Sequence, residues 1–352
     1  MTKIESRSLS LRPFFRMAVL LVSAALVAAC SQFNPAGPAM RAPELNDDHV
    51  VTSDDYRLPL HRWYPEDGRP PERVVLAVHG FNDYGASFDV LARALVQDGT
   101  AVYAYDQRGF GATDPKGIWA GQDTMVADLG VVARLLRERY PDTPLYLAGK
   151  SMGGAVTIAA LTSAEPPPVD GAVLIAPAIW GRKIMPWYQR ASLSAARWLL
   201  PRMSFSGKTA RRIGVRASDD PEVLRALSLD PLVQKEARVD TLYGLSELMN
   251  TALARASSVG VPTLLLYGAQ DQVIPPPAMC RLLDHLDGEE MPWRMVTYPQ
   301  GYHMLTRYTG GATTHADIAA WLHDPAGRLP SGNEVNRAGA RDLLCGDPLH
   351  RA

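Results

Sequence analysis

The stretch that most constrains this chain runs Leu145-Tyr146-Leu147-Ala148-Gly149-Lys150-Ser151-Met152-Gly153-Gly154. Residues 145–148 are apolar and predict a short buried strand, and the small residues from Gly153 onward predict the first turn of a helix. Between them lies G-x-S-x-G, with Ser151 at its centre. A serine on so sharp a strand-to-helix turn has strained backbone angles, and side chains at 149 or 153 would collide with the turn or with the neighbouring strand. The helix aims its first N–H groups back at the serine, where they would meet a developing negative charge. By composition alone the bare pattern would arise about 0.1 times in a chain like this, so its weight comes from the flanking strand and helix. It also depends on whether an acid and a base follow in order.

Around that turn the chain alternates. Residues 50–64 predict an opening strand pair with its turn at Ser53-Asp54-Asp55. Residues 73–78 form an apolar run, as in a strand buried on both faces, and stop at His79-Gly80-Phe81-Asn82-Asp83-Tyr84-Gly85. A helix is expected over 87–97, a strand over 101–105, and then the turn Asp106-Gln107-Arg108-Gly109-Phe110-Gly111. Residues 125–140 predict an amphipathic helix and 171–176 another strand. Strand and helix alternating at this spacing specify a mostly parallel sheet covered on both faces.

The alternation stops over residues 178–258, where no buried-strand signal occurs but Trp180, Trp187, Tyr188, Trp198, Leu199, Leu200, Met203 and Phe205 do. This segment reads as an inserted helical cap. It divides a core of residues 49–177 from a second core part, 259–323, with strands over 261–267 and 294–298. The polar, Gly-rich residues 324–352 are expected to form a flexible tail. Within the cap, residues 185–205 carry a broad apolar face set among Arg190, Arg197 and Arg202. Such a face must lie on the core, on an acyl chain or on a membrane, and Trp187, Trp198 and Leu199 are candidate pocket residues.

The N-terminus is a separate matter. Lys3, Arg7, Arg12 and Arg16 precede an apolar run over 17–29, too short to span a bilayer comfortably. It ends Ala28-Ala29-Cys30, which resembles a bacterial lipobox. That resemblance implies removal of residues 1–29, lipid on the Cys30 thiol and, with Ser31 next, an outer-membrane address on the periplasmic face. Residues 30–48, rich in Pro and Ala, then read as a flexible tether. Cys280 and Cys345 remain. An oxidising compartment would permit their pairing, but two separate thiols are expected, since one sits in an apolar helical stretch and the other in the polar tail. A formal net charge of -1 gives no reason to expect a nucleic-acid partner, and no zinc-type Cys/His spacing or phosphate loop occurs.

After the strand at 263 comes Gly268-Ala269-Gln270-Asp271, and after the strand at 294 comes Gly301-Tyr302-His303. Ser151, Asp271 and His303 thus follow one another, each just past the C-terminal end of a predicted strand, the edge where sites gather in parallel sheets. Asp106 also ends a strand, but the glycine turn after it suits a loop pin. His79 suits a structural role, and His315 and His323 belong to the last helix.

These motifs, with Asp230-Pro231-Leu232 in the cap, resemble the monoacylglycerol lipase and lysophospholipase group of the α/β-hydrolases over residues 50–322. The resemblance implies an α/β-hydrolase fold with an eight-stranded sheet and a cleaved monoacyl lipid ester. It also implies a Ser151–His303–Asp271 triad working without metal or cofactor, with Phe81 and Met152 N–H groups as oxyanion donors. Thioester or amide cleavage, acyl transfer, or mere binding on the same scaffold are the alternatives. Two positions depart from the family pattern. Asn82 stands where a second glycine is usual. Lys150 stands where histidine is usual, and no catalytic role is assigned to it.

Overall fold

The computed structural model describes residues 33–65, 68–180, 182, 185–206, 215–286 and 293–346. The expected leader, residues 1–29, and the lipidation candidate Cys30 lie outside these.

The chain opens with β1 (Glu44–Leu45), β2 (His49–Val51), β3 (Arg57–Trp63) and β4 (Arg73–Val78), followed by helix α1 (Asp89–Gln97) and β5 (Thr100–Tyr105). Next come α2 (Gln122–Arg139), β6 (Leu145–Lys150), α3 (Met152–Leu161) and β7 (Gly171–Ile175). The insertion holds α4 (Trp187–Leu199), β8 (Ser204–Ser206), α5 (Pro221–Leu229) and β9 (Glu236–Arg238), and leads into α6 (Val239–Arg255). The chain returns through β10 (Thr263–Gly268), α7 (Pro276–His285), β11 (Trp293–Tyr298), α8 (Gly311–His323), β12 (Glu334–Val335) and α9 (Arg337–Cys345).

Ten strands form one sheet in the order β1-β2-β3-β5-β4-β6-β7-β10-β11-β12. From β5 to β11 neighbours run parallel, and the strands outside that block pair antiparallel. The resemblance implied eight strands; the short β1 and β12 extend the sheet at its two edges.

The pleat sorts the apolar residues into two cores. Val74, Leu76 and Val78 of β4 face α2, α3, α6 and α7, while Val75 and Ala77 face α1 and α8. Every residue of β5, β6 and β10 is buried, which is why these segments read as unbroken apolar runs. All ten residues of α3 are buried too. A helix apolar all round can lie only inside a domain.

Three expectations are corrected. First, residues 33–48 are not a free tether. Asn34 N–H donates to the Trp119 carbonyl at 2.9 Å, Gly37 N–H donates to Asp54 at 2.9 Å, and β1 pairs with β2. Second, α6 does not belong to the cap. Its Leu248, Met249, Ala252 and Leu253 are buried in the core beneath the sheet, and it packs so closely on Trp119 that a Cβ at Gly244 would lie 2.3 Å from the indole nitrogen. Apolar periodicity marks a buried face without saying what buries it.

Third, residues 324–346 are not a flexible tail. β12 pairs with β11, and Asn336 caps α9 by accepting from Gly339 N–H at 2.8 Å. Ala340 and Leu344 are buried, and a disulfide joins Cys345 to Cys280 of α7 in place of the two thiols expected. The bond closes a loop of 65 residues. Cys345→Ser should therefore lower the free energy of unfolding by about 2–4 kcal/mol in urea denaturation, with the far-UV spectrum retained. Equal stability with and without reductant would remove the clamp from this account.

Candidate active site

Ser151 stands between β6 and α3 with φ 53° and ψ -118°. Residues other than glycine rarely hold such angles, and here the surroundings enforce them. Ser151 N–H donates to the Ile175 carbonyl at 2.9 Å, and its own carbonyl accepts from Ala178 N–H at 2.9 Å. The helix after it sits hard against β4: a Cβ at Gly153 would lie 1.9 Å from the Val78 carbonyl oxygen. At Gly149 it would lie 2.5 Å from the Thr157 hydroxyl. Only glycine at both places lets strand, turn and helix close together.

Asp271 and His303 follow β10 and β11. The His303 ring meets Asp271 Oδ2 through Nδ1 at 2.8 Å and Ser151 Oγ through Nε2 at 3.0 Å. The other Asp271 oxygen accepts from the N–H groups of Val273 and Ile274 at 2.8 and 2.9 Å, which fixes the carboxylate plane. Three residues far apart in sequence thus form one hydrogen-bonded line from carboxylate to hydroxyl.

Asp106 lies elsewhere. Its buried carboxylate meets His61 at 2.9 Å and accepts from Gly85 N–H at 2.8 Å and Ala112 N–H at 2.9 Å. These contacts pin the turns after β4 and β5. His79 Nδ1 donates to the Gly80 carbonyl at 2.8 Å while Nε2 accepts from Gln107 N–H at 2.9 Å. That is a neutral ring, and burial lowers its pKa accordingly. His315 is spent on the Thr306 carbonyl at 3.0 Å and His323 on Arg73 at 3.1 Å.

The turn after β4 runs along the serine: a Cβ at Gly80 would lie 3.2 Å from that of Ser151. Asn82, at the position where a glycine was expected, takes φ 61°, a left-handed conformation that asparagine tolerates best among residues with a Cβ. Phe81 packs edge-on against Phe110, with centroids 5.6 Å apart. Met152 is the first residue of α3, so its N–H belongs to the turn that has no acceptor within the helix.

A cavity of about 270 Å³ opens here, lined by Phe81, Asn82, Ser151, Ala217, Leu227, Val233, Val273, His303 and Met304, among others. Trp187, Trp198 and Leu199 do not line it. They are 73%, 67% and 73% exposed, and α4 buries none of its residues. The apolar face of α4 points outward, and the cap reaches the cavity instead through α5 and the segment after it. That segment is fastened down: Tyr84 donates to Asp230 at 2.8 Å and Gln234 N–H to the Asn82 carbonyl at 2.9 Å. The sequence reading missed these lining residues because Ala217 and Val233 lie in irregular segments and Leu227 in a helix of only nine residues.

Lys150 was assigned no role. It is buried, and its Nζ donates to Asp83 at 2.8 Å and to Ser87 at 3.1 Å. Asp83 also meets Arg307 at 2.6 Å. Two cations hold that carboxyl far below its usual range, even against burial. Lys150 has the opposite imbalance, and burial together with the nearby Arg307 pulls it down to about 8.

Comparison with known proteins agrees with this architecture. Monoglyceride lipase from Mus musculus is 26% identical over 304 residues, covering 82% of this chain and 94% of that protein. Monoacylglycerol lipase from Mycolicibacterium smegmatis is 26% identical over 277 residues, covering 76% and 92%. The solved monoglyceride lipase of Saccharomyces cerevisiae superposes with a TM-score of 0.64 at 19% identity, over 81% of this chain and 95% of that one. The Paleococcus ferrophilus monoacylglycerol lipase gives 0.61 at 23%, over 75% and 98%. The fold is that of the α/β-hydrolases. With residues 69–308 matching the family model described as Hydrolase_4, serine aminopeptidase, S33, the chain belongs to that family.

Proposed function

We propose that this protein is a serine hydrolase cleaving carboxylic esters of lipids, with monoacylglycerol or lysophospholipid as substrate. What carries the reading is the line from Asp271 through His303 to Ser151 Oγ, ending in an apolar cavity. In this scheme His303 Nε2 takes the hydroxyl proton as Ser151 Oγ attacks the ester carbonyl. Asp271 holds the ring in the tautomer with Nδ1 protonated and balances its charge once it is an imidazolium. The N–H groups of Phe81 and Met152 receive the oxyanion. Collapse of the tetrahedral species breaks the ester C–O bond, and the imidazolium returns its proton to the leaving alcohol. Water, activated by the same imidazole, then releases the acyl group from Ser151.

The family's description as an aminopeptidase supports a second reading. Holding a substrate ammonium would call for a free carboxylate at the cavity. Asp83 is the carboxylate among the described lining residues apart from the triad, and it is already bound by two cations. Ala217, Leu227, Val233, Val273 and Met304 suit an acyl chain better. Similarity to lipases at 26% identity supports the same choice.

We further propose that the protein works at a bilayer, anchored through lipid on Cys30 on the periplasmic face of a bacterial envelope. The exposed Trp187, Tyr188, Trp198, Leu199, Leu200 and Phe205 on the cap suit contact with a lipid surface.

Ser151→Ala should remove fluorophosphonate labelling and cut ester turnover by about 10⁴-fold or more with the fold intact. Asp271→Asn should lose most activity, whereas Asp106→Asn should lose mainly stability. A labelled Ser151→Ala protein, or an active Asp271→Asn beside a folded but dead Asp106→Asn, would overturn the assignment.

Each methylene entering an apolar cavity is worth ~0.8 kcal/mol. With monodisperse substrates, kcat/KM should therefore rise about fourfold per carbon until the cavity is full. Leu227→Asn or Val233→Asn should flatten that rise, and Leu199→Asn should not. A wild-type preference for acetate esters would leave only a general esterase, and better cleavage of amino-acid amides than of esters would favour the peptidase.

Cys30→Ser should abolish incorporation of labelled fatty acid and leave an uncleaved precursor. Equal incorporation in both proteins would exclude this anchor.

A further inference from the structure

Asp83 and Arg307 stand on two different loops and Lys150 ends β6, and each of the three segments carries a different part of the site. Lys150 precedes Ser151, Asp83 lies two residues after Phe81, and Arg307 lies four after His303. All three are largely buried, with side chains 4%, 10% and 14% exposed in the order Lys150, Asp83, Arg307. A single oxygen, Asp83 Oδ2, accepts from Lys150 Nζ at 2.8 Å and from Arg307 Nη2 at 2.6 Å. The other, Oδ1, accepts from Tyr84 N–H at 3.1 Å within its own loop. Ser87 and the Phe88 ring, 5.5 Å from the ammonium, complete the surroundings of Lys150.

An ion triad in the interior is a poor source of stability, because desolvation offsets most of its attraction and apolar packing would serve as well. What such a cluster does supply is registry. The directional bonds to one carboxylate oxygen fix where three chain segments sit relative to one another. The electrostatics point the same way. Two cations against one anion leave a net positive charge beside the serine turn, where negative charge would build in an acyl-transfer transition state.

We propose that Asp83 is the positioning residue of the site: with Lys150 and Arg307 as its two counter-charges, it locks the oxyanion loop, the serine turn and the histidine loop together. This rests on the serine-hydrolase reading above and deepens it. Asp83 and Lys150 also form part of the cavity wall, but their charged ends are spent on each other, on Arg307 and on Ser87, and the three act through Phe81, Ser151 and His303. The charged groups facing Lys150 are Asp83 and Arg307, with the titratable but neutral His79 beside them and Asp106 beyond it. With its ammonium pulled down to about 8, Lys150 is charged at neutral pH and loses its charge as pH rises through that value. The lock is therefore complete on the acid side of about 8 and weakened on the alkaline side.

The test is steady-state hydrolysis of a soluble butyrate ester from about pH 6 to about pH 9.5, with fluorophosphonate labelling alongside. Wild type, Lys150→Met and Lys150→Arg are compared. Methionine keeps the volume without the charge, and arginine restores the charge and stays protonated throughout. Lys150→Met should lower kcat by ~10–100-fold with KM within about threefold, as expected when reacting groups are displaced rather than binding lost. Wild-type kcat should fall as pH passes about 8. That fall should be absent from Lys150→Met and from Lys150→Arg, and the latter should recover part of the neutral-pH rate.

A folded Lys150→Met with wild-type kcat would overturn the proposal. So would a wild-type kcat that stays level from about pH 7 to about pH 9.5, which decides the matter even where the variants do not fold. A wild-type protein that neither labels nor turns over any ester would instead bring down the hydrolase reading itself.

Discussion

The arrangement depends on one close approach, that of Gly153 to the carbonyl at the end of β4, where a Cβ would stand 1.9 Å from oxygen. Because no side chain intervenes, α3 starts directly against the last residue of the neighbouring strand. Met152 and Phe81, whose N–H groups are the proposed oxyanion donors, belong to the two segments that meet there. The strain at φ 53° is sustained because everything around it is fixed. β6 lies between β4 and β7 in the sheet, and α3 is buried along its whole length.

Above that apolar frame, the edge of the sheet where the strands end is held together by charge. Asp106 ties the turn after β4 to the turn after β5. Arg108, 1% exposed, forks between Asp54 at 2.7 Å and Asp128 at 2.8 Å and stacks on the Tyr56 ring. It thereby joins the β2–β3 turn to α2. Burial pushes Asp128 up to about 6, while the guanidinium holds Asp54 well below the usual carboxylate range. Packing joins these turns in part, with Phe81 lying edge-on against the buried Phe110. Directional bonds among buried ions add registry, at the cost of desolvation. The sheet thus supplies stability and the ions supply placement.

Much of this was legible in the sequence. Strands buried on both faces announce themselves as apolar runs, and a serine, an acid and a base each just past a strand end locate the candidate site without coordinates. What escaped was whatever depends on direction or on distant pairing. The periodicity of α4 shows that it has an apolar face and cannot say that the face looks outward. In β6 the pleat puts Lys150 on the same side as Tyr146 and Ala148, against α1. Its partner Asp83 is 67 residues away, and no spacing rule connects them. The C-terminal segment was misjudged for a related reason. Its apolar residues are few, but Leu329, Ala340 and Leu344 all point inward, and the disulfide supplies part of the fastening that a larger core would otherwise provide.

That last segment also decides how the sheet ends. A parallel block that stopped at β11 would present a six-residue row of unpaired amides and carbonyls, a template for pairing with another chain. Two residues of β12 occupy the middle of that row, and Arg294 reaches across to clasp Glu334 at 2.7 and 2.6 Å. On the far side, β1 is likewise only two residues long. Both margins of the sheet are thus blunted by strands too short to recruit a neighbour. The Cys280–Cys345 bond ties α9, the helix directly after β12, to α7, and so fastens the segment that covers this edge.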